Sequence, residues 1–373
     1  MLRFLTAGES HGKALVAILE GLPAGVPMTE EAVNRELARR QHGYGRGGRM
    51  LIEKDTVTFL SGVRHGKTLG SPIAMHIPNK DASIDRLPVV TKPRPGHADL
   101  VGAIKYNQRD IRNILERASA RETTARVAVG ACCKQLLAPF GMEVLSHTAS
   151  VGRIQAKAPA LTPAALRKVD ATPLRCADPS AEKRMIALID AMKKKGDTLG
   201  GVFEVVAFGV PLGLGSHTHY DRRLDAILGA AVLSIHAVKA VDVGDGVLAA
   251  GLPGSSVQDE IYYSKARGFY RQSNRSGGFE GGMTTSAAIV VRGYLKPLST
   301  LMQPLRSVDI NTKQMIKGTV ERSDVCTVPA AGVIGEAMVA FELAKAFLQK
   351  FGEDNFDEIQ RNLLHHRKHI TSF

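Results

Sequence analysis

The chain has 373 residues, of which 44% are hydrophobic, and its formal net charge at pH 7 is +13. This length is enough to bury a substantial core, and no Ser/Pro/Gly-rich linker divides it, so we interpret residues 1–373 as a single domain. The apolar runs are too short to span a membrane and the first residues do not resemble a secretory signal, which predicts a cytoplasmic protein.

Four cysteines without paired CxxC spacing predict free thiols in a reducing compartment and argue against a structural zinc site. The basic balance indicates an anionic partner. Nucleic acid, a membrane surface and a multiply charged metabolite all fit the sign of the charge. A metabolite requires the positive charge to be gathered into a pocket.

The first candidate site follows a short apolar run at residues 2–7, which predicts a strand. The sequence GESHG at residues 8–12 then places His11 between glycines. Histidine can give or take a proton near neutral pH, so a histidine presented at a strand end is a candidate acid or base. The alternative is that His11 is only hydrogen-bonded within a turn.

A basic segment comes next, where a helix opened by Thr29 runs to about residue 41 and breaks into glycines. Glycines 43, 45 and 48 fit a GxGxxG pattern, but a dinucleotide fingerprint needs a strand before it and a helix after it. Here the helix comes first and residues 50–60 read as a strand. Arginines on a glycine loop suit bidentate capture of phosphate or carboxylate, and the alternative is a solvated basic loop.

Residues 61–68 resemble a phosphate-binding GxxxxGK[ST] loop, but the first glycine is displaced and a Gly-Ser-Pro sequence prevents the required helix. We therefore predict a turn, followed by a strand at residues 73–77. Residues 92–99 form a loop stiffened by two prolines that could hold His97 in place, with Asp99 two positions later.

A capping box at Ser119 and Glu122 predicts a helix that begins there and ends at Leu137. Its N-terminus, with Arg117 and Arg121 close by, is a natural anion site. A purely structural role for Ser119 as the cap is compatible with this interpretation.

The second half of the chain alternates helical and extended patterns. Helices are predicted at residues 163–169, 181–195 and 222–234, and strands at 201–209 and 287–291. The loop 215–221 holds His217, His219 and Asp221, but it lacks the context of a known metal motif and we predict no metal site. Arg322 and Asp324 lie just before a helix predicted to begin at Pro329 and extend towards residue 352.

Taken together and in this order, six segments resemble the chorismate synthase family over nearly the whole chain. The most specific are GESHGKALVAILEGLP at 8–23, RASARETTARVAVGA at 117–131 and RSDVCTVPAAG at 322–332. RQHGYGRGGRM, RPGHAD and SNRSGGFEGGM support them. The chain departs from the family after Met283, where TTSAA occupies residues 284–288 in place of a glycine followed by Gln or Glu.

The pattern of mixed strands, long helices and turns that suit antiparallel pairing predicts an α+β fold. The resemblance narrows this to a β-α-β sandwich with antiparallel sheets surrounded by helices, in a homotetramer. It implies conversion of 5-enolpyruvylshikimate 3-phosphate to chorismate and phosphate by a 1,4-anti elimination that needs reduced FMN without net redox change. NADPH enters only as a possible source of flavin reduction. An arginine-rich pocket is electrostatically suited to a substrate and cofactor that carry phosphates and carboxylates.

The resemblance also implies roles for individual residues. His11 would protonate the leaving phosphate, His97 would stabilise the anionic reduced flavin, and Asp324 would act with flavin N5. The implied substrate-binding residues are Ser10, Arg40, Arg46, Arg49, Ser119, Arg121 and Arg322. The implied flavin-binding residues are Arg117, Ala118, Ser119, His236, Ala237, Gly281, Lys296, Pro297, Leu298, Ser299, Thr300 and Arg322.

The main alternative is a nucleic-acid-binding protein that uses the Gly/Arg loop at residues 39–49. Such proteins usually interleave aromatic residues with basic ones, and here only Tyr44 does so. A P-loop kinase is excluded by the glycine spacing. The sequence leaves open whether the chain reduces its own flavin, how ordered the loops are without ligand, and what residues 355–373 do.

Overall fold

The strands of the fold are short and pair in antiparallel fashion. The structure is a computed structural model, and it describes residues 1–47, 54–321 and 323–373. The strands are β1 Arg3–Ala7, β2 Ala14–Glu20, β3 Thr58–Phe59, β4 Val63–Arg64, β5 Lys67–Thr68, β6 Ile73–Pro78, β7 Glu143–Val151, β8 Ile154–Gln155, β9 Gly201–Phe208, β10 Val238–Val243, β11 Ile261–Ser264, β12 Gly268–Arg271, β13 Phe279–Glu280, β14 Met283–Thr284, β15 Ile289–Leu295, β16 Arg306–Val308 and β17 Met315–Lys317.

The helices range from single turns to a long, almost wholly buried helix near the C-terminus. They are α1 Glu30–Gln41, α2 Asp99–Lys105, α3 Arg112–Leu115, α4 Thr123–Leu137, α5 Pro163–Lys168, α6 Pro179–Lys195, α7 Leu224–Leu233, α8 Gly246–Ala249, α9 Gly254–Val257, α10 Val328–Phe351 and α11 Phe356–Ser372. Within the described ranges, no helix is long and apolar enough to cross a membrane.

Within the described residues, the first sheet has the strand order β1-β2-β6-β3. Alternation along β2 buries Leu15, Ala17 and Leu19 on one face, while Ile18 is 43% exposed on the other. The hairpin between β1 and β2 begins at Gly8, whose φ of +104° and close approach to Ala14 exclude a side chain. This hairpin loop carries His11.

The second sheet of the described chain has the order β10-β15-β9-β7-β8. Phe203 and Val205 of β9 pack against α10, where they approach Gly335. Glu204, between them in sequence, therefore lies on the opposite face, where His147 and Arg292 are its register partners. One face of this sheet is thus apolar and covered by a helix.

Helices α4 and α10 pack against each other within the hydrophobic core. At Gly130 of α4, an added Cβ would lie 2.3 Å from the Cα of Ala337, so the two backbones meet without intervening side chains. Helix α4 also contacts β2 and α1, while α10 contacts β7 and β9. The helices therefore join the inner faces of the two sheets through one continuous hydrophobic core.

Several predicted elements are confirmed. The strand at 2–7, the helix after Thr29, the helix ending at Leu137 and the helix that begins near Pro329 all form. The cap at Thr29 accepts a hydrogen bond from Ala32. The mixed, antiparallel α+β class is also confirmed, because every pairing between the described strands is antiparallel.

Other predictions need correction. Of the strand predicted at 50–60, residues 50–53 lie outside the described residues and only Thr58–Phe59 pairs in a sheet. The predicted strand at 287–291 is shifted to Ile289–Leu295 because it pairs in register with residues 201–207 of β9. The turn at 61–68 contains the small hairpin β4–β5. The helix predicted at 222–234 is preceded by a 3₁₀ turn, and the α-helix covers only Leu224–Leu233.

The capping box at the start of α4 is only half formed. Ser119 caps a 3₁₀ turn, Ala120–Glu122, by accepting a hydrogen bond from the backbone of Arg121. The side chain of Glu122 does not return to Ser119, because it accepts hydrogen bonds from Thr6 and Arg126 instead. The start of the helix is therefore tied to β1 through Glu122.

Candidate active site

His11 lies in the β1–β2 loop against a buried carboxylate. Its Nδ1 is 2.8 Å from Oε2 of Glu116, and its backbone N–H donates to the same oxygen at 2.9 Å. On the other side of the ring, Nε2 is 3.9 Å from Asp81. Burial acts to raise the pKa of Glu116, but the hydrogen bonds from His11 and Arg112 outweigh burial and lower it. His11 is thus held in one orientation with Nε2 outward.

Arg40, at the end of α1, is only 4% exposed. Its Nε donates to Thr123 and its Nη2 donates to the carbonyl of Ala120, while Nη1 has no hydrogen-bond partner among the described residues. Burial, and next the charge of Arg46, lower the pKa of Arg40 to about 9. A buried guanidinium with an unused donor is suited to receiving an anion.

Arg121, at the start of α4, is held by two residues that precede it in the chain. Its Nη1 donates to Asp55 at 2.5 Å, and its Nε and Nη2 donate to Asn79. The amide nitrogen of Asn79 donates to the carbonyls of Glu9 and Gly12. Asn79 therefore links the arginine to the loop that carries His11.

Asp324 lies between the basic loop and the segment that leads into α10. It accepts a hydrogen bond from the backbone of Gly47 at 2.5 Å and is 3.4 Å from Arg46. The carbonyl of Gly45 accepts a bond from the backbone of Val325. The loop after α1 is thus fixed along this segment, and its arginine faces inward.

His97 is held by a buried ion pair in the proline loop. Its Nδ1 is 2.6 Å from Asp99, whose other oxygen accepts from Nε of Arg94 at 2.8 Å. Burial acts to raise the pKa of Asp99, but the bonds from His97 and Arg94 hold it well below its usual range. Nη1 of Arg94 donates to Thr300 at 2.8 Å. The imidazole is therefore braced by an ionised carboxylate.

The segment 296–300 and His236 lie beside this loop. The backbone N–H of Lys296 donates to Ala237, and the open side of Gly96 faces Ser299 and the Lys296 amine. Burial lowers the pKa of His236, with Glu122 acting against the shift. Its Nδ1 is buried without a hydrogen-bond partner in the described chain. This side of the site therefore also presents a ring nitrogen with no hydrogen-bond partner among the described residues.

These groups form one site. Arg46, Arg121 and Asp324 are near enough to Arg40 to change its pKa, and Arg40 and His97 are near enough to change that of His236. Three guanidinium groups share two carboxylates, Asp55 and Asp324, in a largely buried space. The buried donors fit a ligand with phosphate or carboxylate groups.

Some predicted residues are engaged elsewhere. The guanidinium of Arg117 donates to backbone carbonyls of Thr6 and Gly8, so it fastens the end of β1. Gly281 adjoins His217, and the next residue adjoins Arg223 at the start of α7, whereas His236 follows the end of that helix. A ten-residue helix is about 15 Å long, so Gly281 and His236 lie beside opposite ends of α7. Arg49 and Arg322 lie outside the described residues.

The remaining predicted residues are compatible with the site. Ala118 continues the turn that carries Ser119, and Ser10, 4% exposed, donates its N–H to the carbonyl of Glu116. Leu298 accepts a hydrogen bond from Thr198, which fixes the 296–300 segment against the second sheet. Of the described residues, no group of three His, Cys, Asp or Glu side chains could hold a metal ion.

Sequence reasoning gave no role to Asn79, Asp55 or Glu116, although each contacts a predicted residue. Glu116 pairs with His11 over 105 positions and Asn79 with Arg121 over 42. The one available signal was that Glu116 immediately precedes the RASARE segment. The partners become visible only once the β1–β2 loop, the loop after β6 and the start of α4 converge.

The geometry gives no support to the nucleic-acid alternative. Arg40 is buried, Arg46 has a side chain only 10% exposed, and both face Asp55 or Asp324 rather than solvent. Tyr44, the one aromatic residue in this basic segment, donates its hydroxyl to Asp190. Guanidinium groups must reach the surface to contact a nucleic-acid backbone.

In chemical terms, the site combines an inward-facing cluster of arginines with two histidines, each braced by a carboxylate. This arrangement can bind a polyanion and move a proton to or from it. A family model described as chorismate synthase matches residues 2–348. The chain is 55% identical to chorismate synthase of Symbiobacterium thermophilum, with 97% of each chain covered.

The chain is also 53% identical to chorismate synthase of Geobacillus thermodenitrificans, with both chains covered completely. A solved structure titled "Crystal Structure of Chorismate Synthase" superposes with a TM-score of 0.84 at 46% identity. The match covers 100% of this chain and 99% of the chain in the solved structure. The similarity therefore extends over nearly the whole length of the chain.

Proposed function

Because the chain belongs to the chorismate synthase family and is therefore a phosphate-eliminating lyase, we propose that the site around His11, Arg40 and His97 binds 5-enolpyruvylshikimate 3-phosphate and reduced FMN. The observation that carries the proposal is the buried arginine cluster, in which Nη1 of Arg40 makes no hydrogen bond and lies 3.8 Å from Asp55. A substrate with a phosphate and two carboxylates would complete the contacts of Arg40.

The substrate side is formed by the β1–β2 loop and the arginine cluster. Arg40, Arg46 and Arg121 hold the anionic groups. They are joined by Ser10 of the β1–β2 loop and by Ser119, which caps the turn before α4. Arg49 and Arg322 belong to the same set by family resemblance. Asp55 and Asn79 keep Arg121 in a fixed orientation, so little conformational entropy is lost when substrate binds.

His11 donates a proton from Nε2 to the phosphate as its C–O bond breaks. Its Nδ1 is engaged by Glu116, which leaves Nε2 as the atom that exchanges a proton. The proton neutralises charge that develops on the leaving group, while the arginines stabilise the remaining negative charge.

When bound, reduced FMN would supply electron density that assists departure of the phosphate. The flavin would regain this electron density when the C6 hydrogen leaves the substrate. The residues that would hold it are His97, His236, Ala237 and the 296–300 segment, joined by Arg117, Ala118, Ser119, Gly281 and Arg322 by family resemblance. The buried Nδ1 of His236 and the Lys296 amine fit a polar, anionic cofactor. By family resemblance, Asp324 would act with flavin N5 in removal of the C6 proton of the substrate.

We further propose a single-domain β-α-β sandwich that assembles as a homotetramer in the cytoplasm. The packing of α4 and α10 between the sheets supports the sandwich. Leu5 and Ile18, which face each other on the outer side of the first sheet and are 74% and 43% exposed, support self-association. Four free thiols suit a reducing compartment. NADPH serves at most to reduce the flavin.

The test is an anaerobic assay of the purified chain with 5-enolpyruvylshikimate 3-phosphate and chemically reduced FMN, with chorismate followed by absorbance. Oxidised FMN is the control. Chorismate formed only with reduced flavin supports the reaction and the cofactor. No chorismate, with a known chorismate synthase active in parallel, refutes the proposal.

A further inference from the structure

The residue that contacts His11 most extensively is Glu116, which directly follows α3. Its side chain is completely buried, and both of its oxygens lie within 3.0 Å of Nδ1 of His11. Its Oε2 also accepts the backbone N–H of His11, and its own carbonyl accepts the backbone N–H of Ser10. One residue therefore fixes both the imidazole and the loop that carries it.

All the contacts described for the Glu116 carboxylate come from hydrogen-bond donors. Besides His11, Nη1 of Arg112 donates to Oε1 at 3.1 Å, and Arg112 in turn pairs with Glu321 at 3.4 Å. A buried carboxylate that receives a cation and several N–H groups stays ionised. An ionised carboxylate can only accept, so the Nδ1 beside it must carry a hydrogen.

The consequence for His11 is a fixed assignment of its two nitrogens. With hydrogen held on Nδ1, the proton that the ring gains and loses is on Nε2, which lies on the side of Asp81 at 3.9 Å. A 180° ring flip would place a carbon against Glu116 and abolish the contact at 2.8 Å. The charged groups described beside the two sides of the ring include Glu116, Asp81 and, behind Glu116, Arg112.

We propose that Glu116 is a positioning residue for catalysis: it holds His11 in the Nδ1–H form so that Nε2 delivers the proton to the leaving phosphate. This inference rests on the proposed role of His11 as the acid. Glu116 itself does not face the substrate, because its side chain is buried behind the histidine. Its effect should therefore fall on turnover rather than on substrate binding.

The substitution Glu116→Gln tests this directly. Both oxygen positions of Glu116 face donors, so the amide NH₂ of glutamine must oppose one of them. If NH₂ faces the ring, it stabilises the tautomer with hydrogen on Nε2, which is the wrong form. We expect kcat to fall about 10²-fold, with KM for the substrate changed by less than about threefold.

A matched control exists elsewhere in the chain. Glu204 is 4% exposed and also pairs with one histidine and one arginine, His147 at 2.9 Å and Arg292 at 2.6 Å. It lies on the face of the second sheet away from α10. Glu204→Gln therefore removes a comparable buried carboxylate but should leave kcat per folded enzyme unchanged.

A measurement on the unaltered enzyme keeps the test independent of how Glu116→Gln folds. In enzyme labelled with ¹⁵N in its histidine rings, the His11 signals are identified by their loss in His11→Asn. We expect the neutral ring to carry hydrogen on Nδ1. A neutral ring protonated on Nε2, or Glu116→Gln with wild-type kcat, overturns the inference. Full activity in His11→Ala would instead refute the proposed role of His11.

Discussion

At the scale of single residues, Arg40 is a buried guanidinium whose Nη1 makes no hydrogen bond and lies 3.8 Å from Asp55, so an anionic ligand would complete its contacts. Arg35 lies on the same helix but is exposed. The two arginines lie on the same helix and carry the same charge, but only Arg40 is buried. Comparing their substitutions therefore distinguishes a specific role of Arg40 from an effect of net charge.

Arg40→Gln should raise KM for 5-enolpyruvylshikimate 3-phosphate by about 10- to 100-fold, which corresponds to one hydrogen bond to a charged group worth roughly 1.5–3 kcal/mol. Arg35→Gln should leave KM unchanged. Steady-state kinetics at fixed ionic strength measures both. Equal effects of the two substitutions would mean that the arginines act only through net charge.

His11→Ala, His97→Ala and Asp324→Ala should each lower kcat by about 10² or more without unfolding the chain. The side chains of His11 and His97 are each 17% exposed, so truncating either one to alanine removes little packing from the hydrophobic core. Thermal melts should remain within a few degrees of wild type. Wild-type turnover in all three variants would refute the assignment of these residues.

At the scale of elements, the site depends on how closely α4 and α10 approach, because Arg121 lies in the 3₁₀ turn that leads into α4 and α10 follows Asp324. Gly130 marks the contact, with Ala337 atoms 2.3 Å from where a Cβ would lie. Gly229 in α7 offers the opposite case, since nothing lies within 4 Å of its added Cβ.

Gly130→Ala should lower the free energy of unfolding by about 1–3 kcal/mol through overpacking. Gly229→Ala should instead stabilise the chain by about 0.4–1 kcal/mol, because alanine restricts the unfolded state. Chemical denaturation of both variants measures the difference. A Gly130→Ala variant as stable as wild type would show that the helices can separate without cost.

The sequence indicates those elements whose ends carry a local signal. Thr29 caps α1 and Pro329 begins α10, and both helices follow from these residues and their apolar spacing. Strand β2 has no such signal, because a short apolar run within residues 14–20 does not separate strand from helix. Its identity comes from pairing with β1 and β6.

The site was predictable only in part for a related reason. His11 and His97 each adjoin a glycine in a loop, where side chains are exposed, and Arg40 lies at the end of α1, three residues before Gly43. Glu116 and Asn79 lie in ordinary surroundings and act on partners far away in the chain. Periodicity and spacing describe neighbours in sequence, so contacts made by folding loops together escape them.

At the scale of the whole molecule, the core holds an ion network centred on Glu336 of α10. This carboxylate is completely buried and contacts Arg39, Lys134 and Arg175 at 2.5–2.8 Å. Burial acts to raise the pKa of Glu336, but these three cations outweigh it and hold the pKa well below its usual range. The network ties α1, α4 and α10 together.

Because the folded-state pKa of Glu336 lies below its unfolded value of about 4, the unfolded chain binds more protons in acid. The contribution to stability is complete above that pH and is lost as the pH falls through about 4 and below. Glu116 and Asp99, whose pKa values are also lowered, act in the same direction. We therefore expect the free energy of unfolding to decrease steadily below about pH 5.

Glu336→Gln should cost about 3–5 kcal/mol at pH 7, because it leaves buried cations without their partner. It should also make the acid dependence shallower than in wild type. Denaturation series at several pH values test both. An unchanged acid slope in Glu336→Gln would show that other groups determine the acid sensitivity.

The most direct test of the whole account is a crystal structure of the chain with 5-enolpyruvylshikimate 3-phosphate and FMN bound. We predict the substrate phosphate within hydrogen-bond distance of Nε2 of His11 and the arginine cluster, and the flavin ring between His97 and the 296–300 segment. Ligands bound on another face, with His11 and Arg40 contacting only protein, would contradict the account.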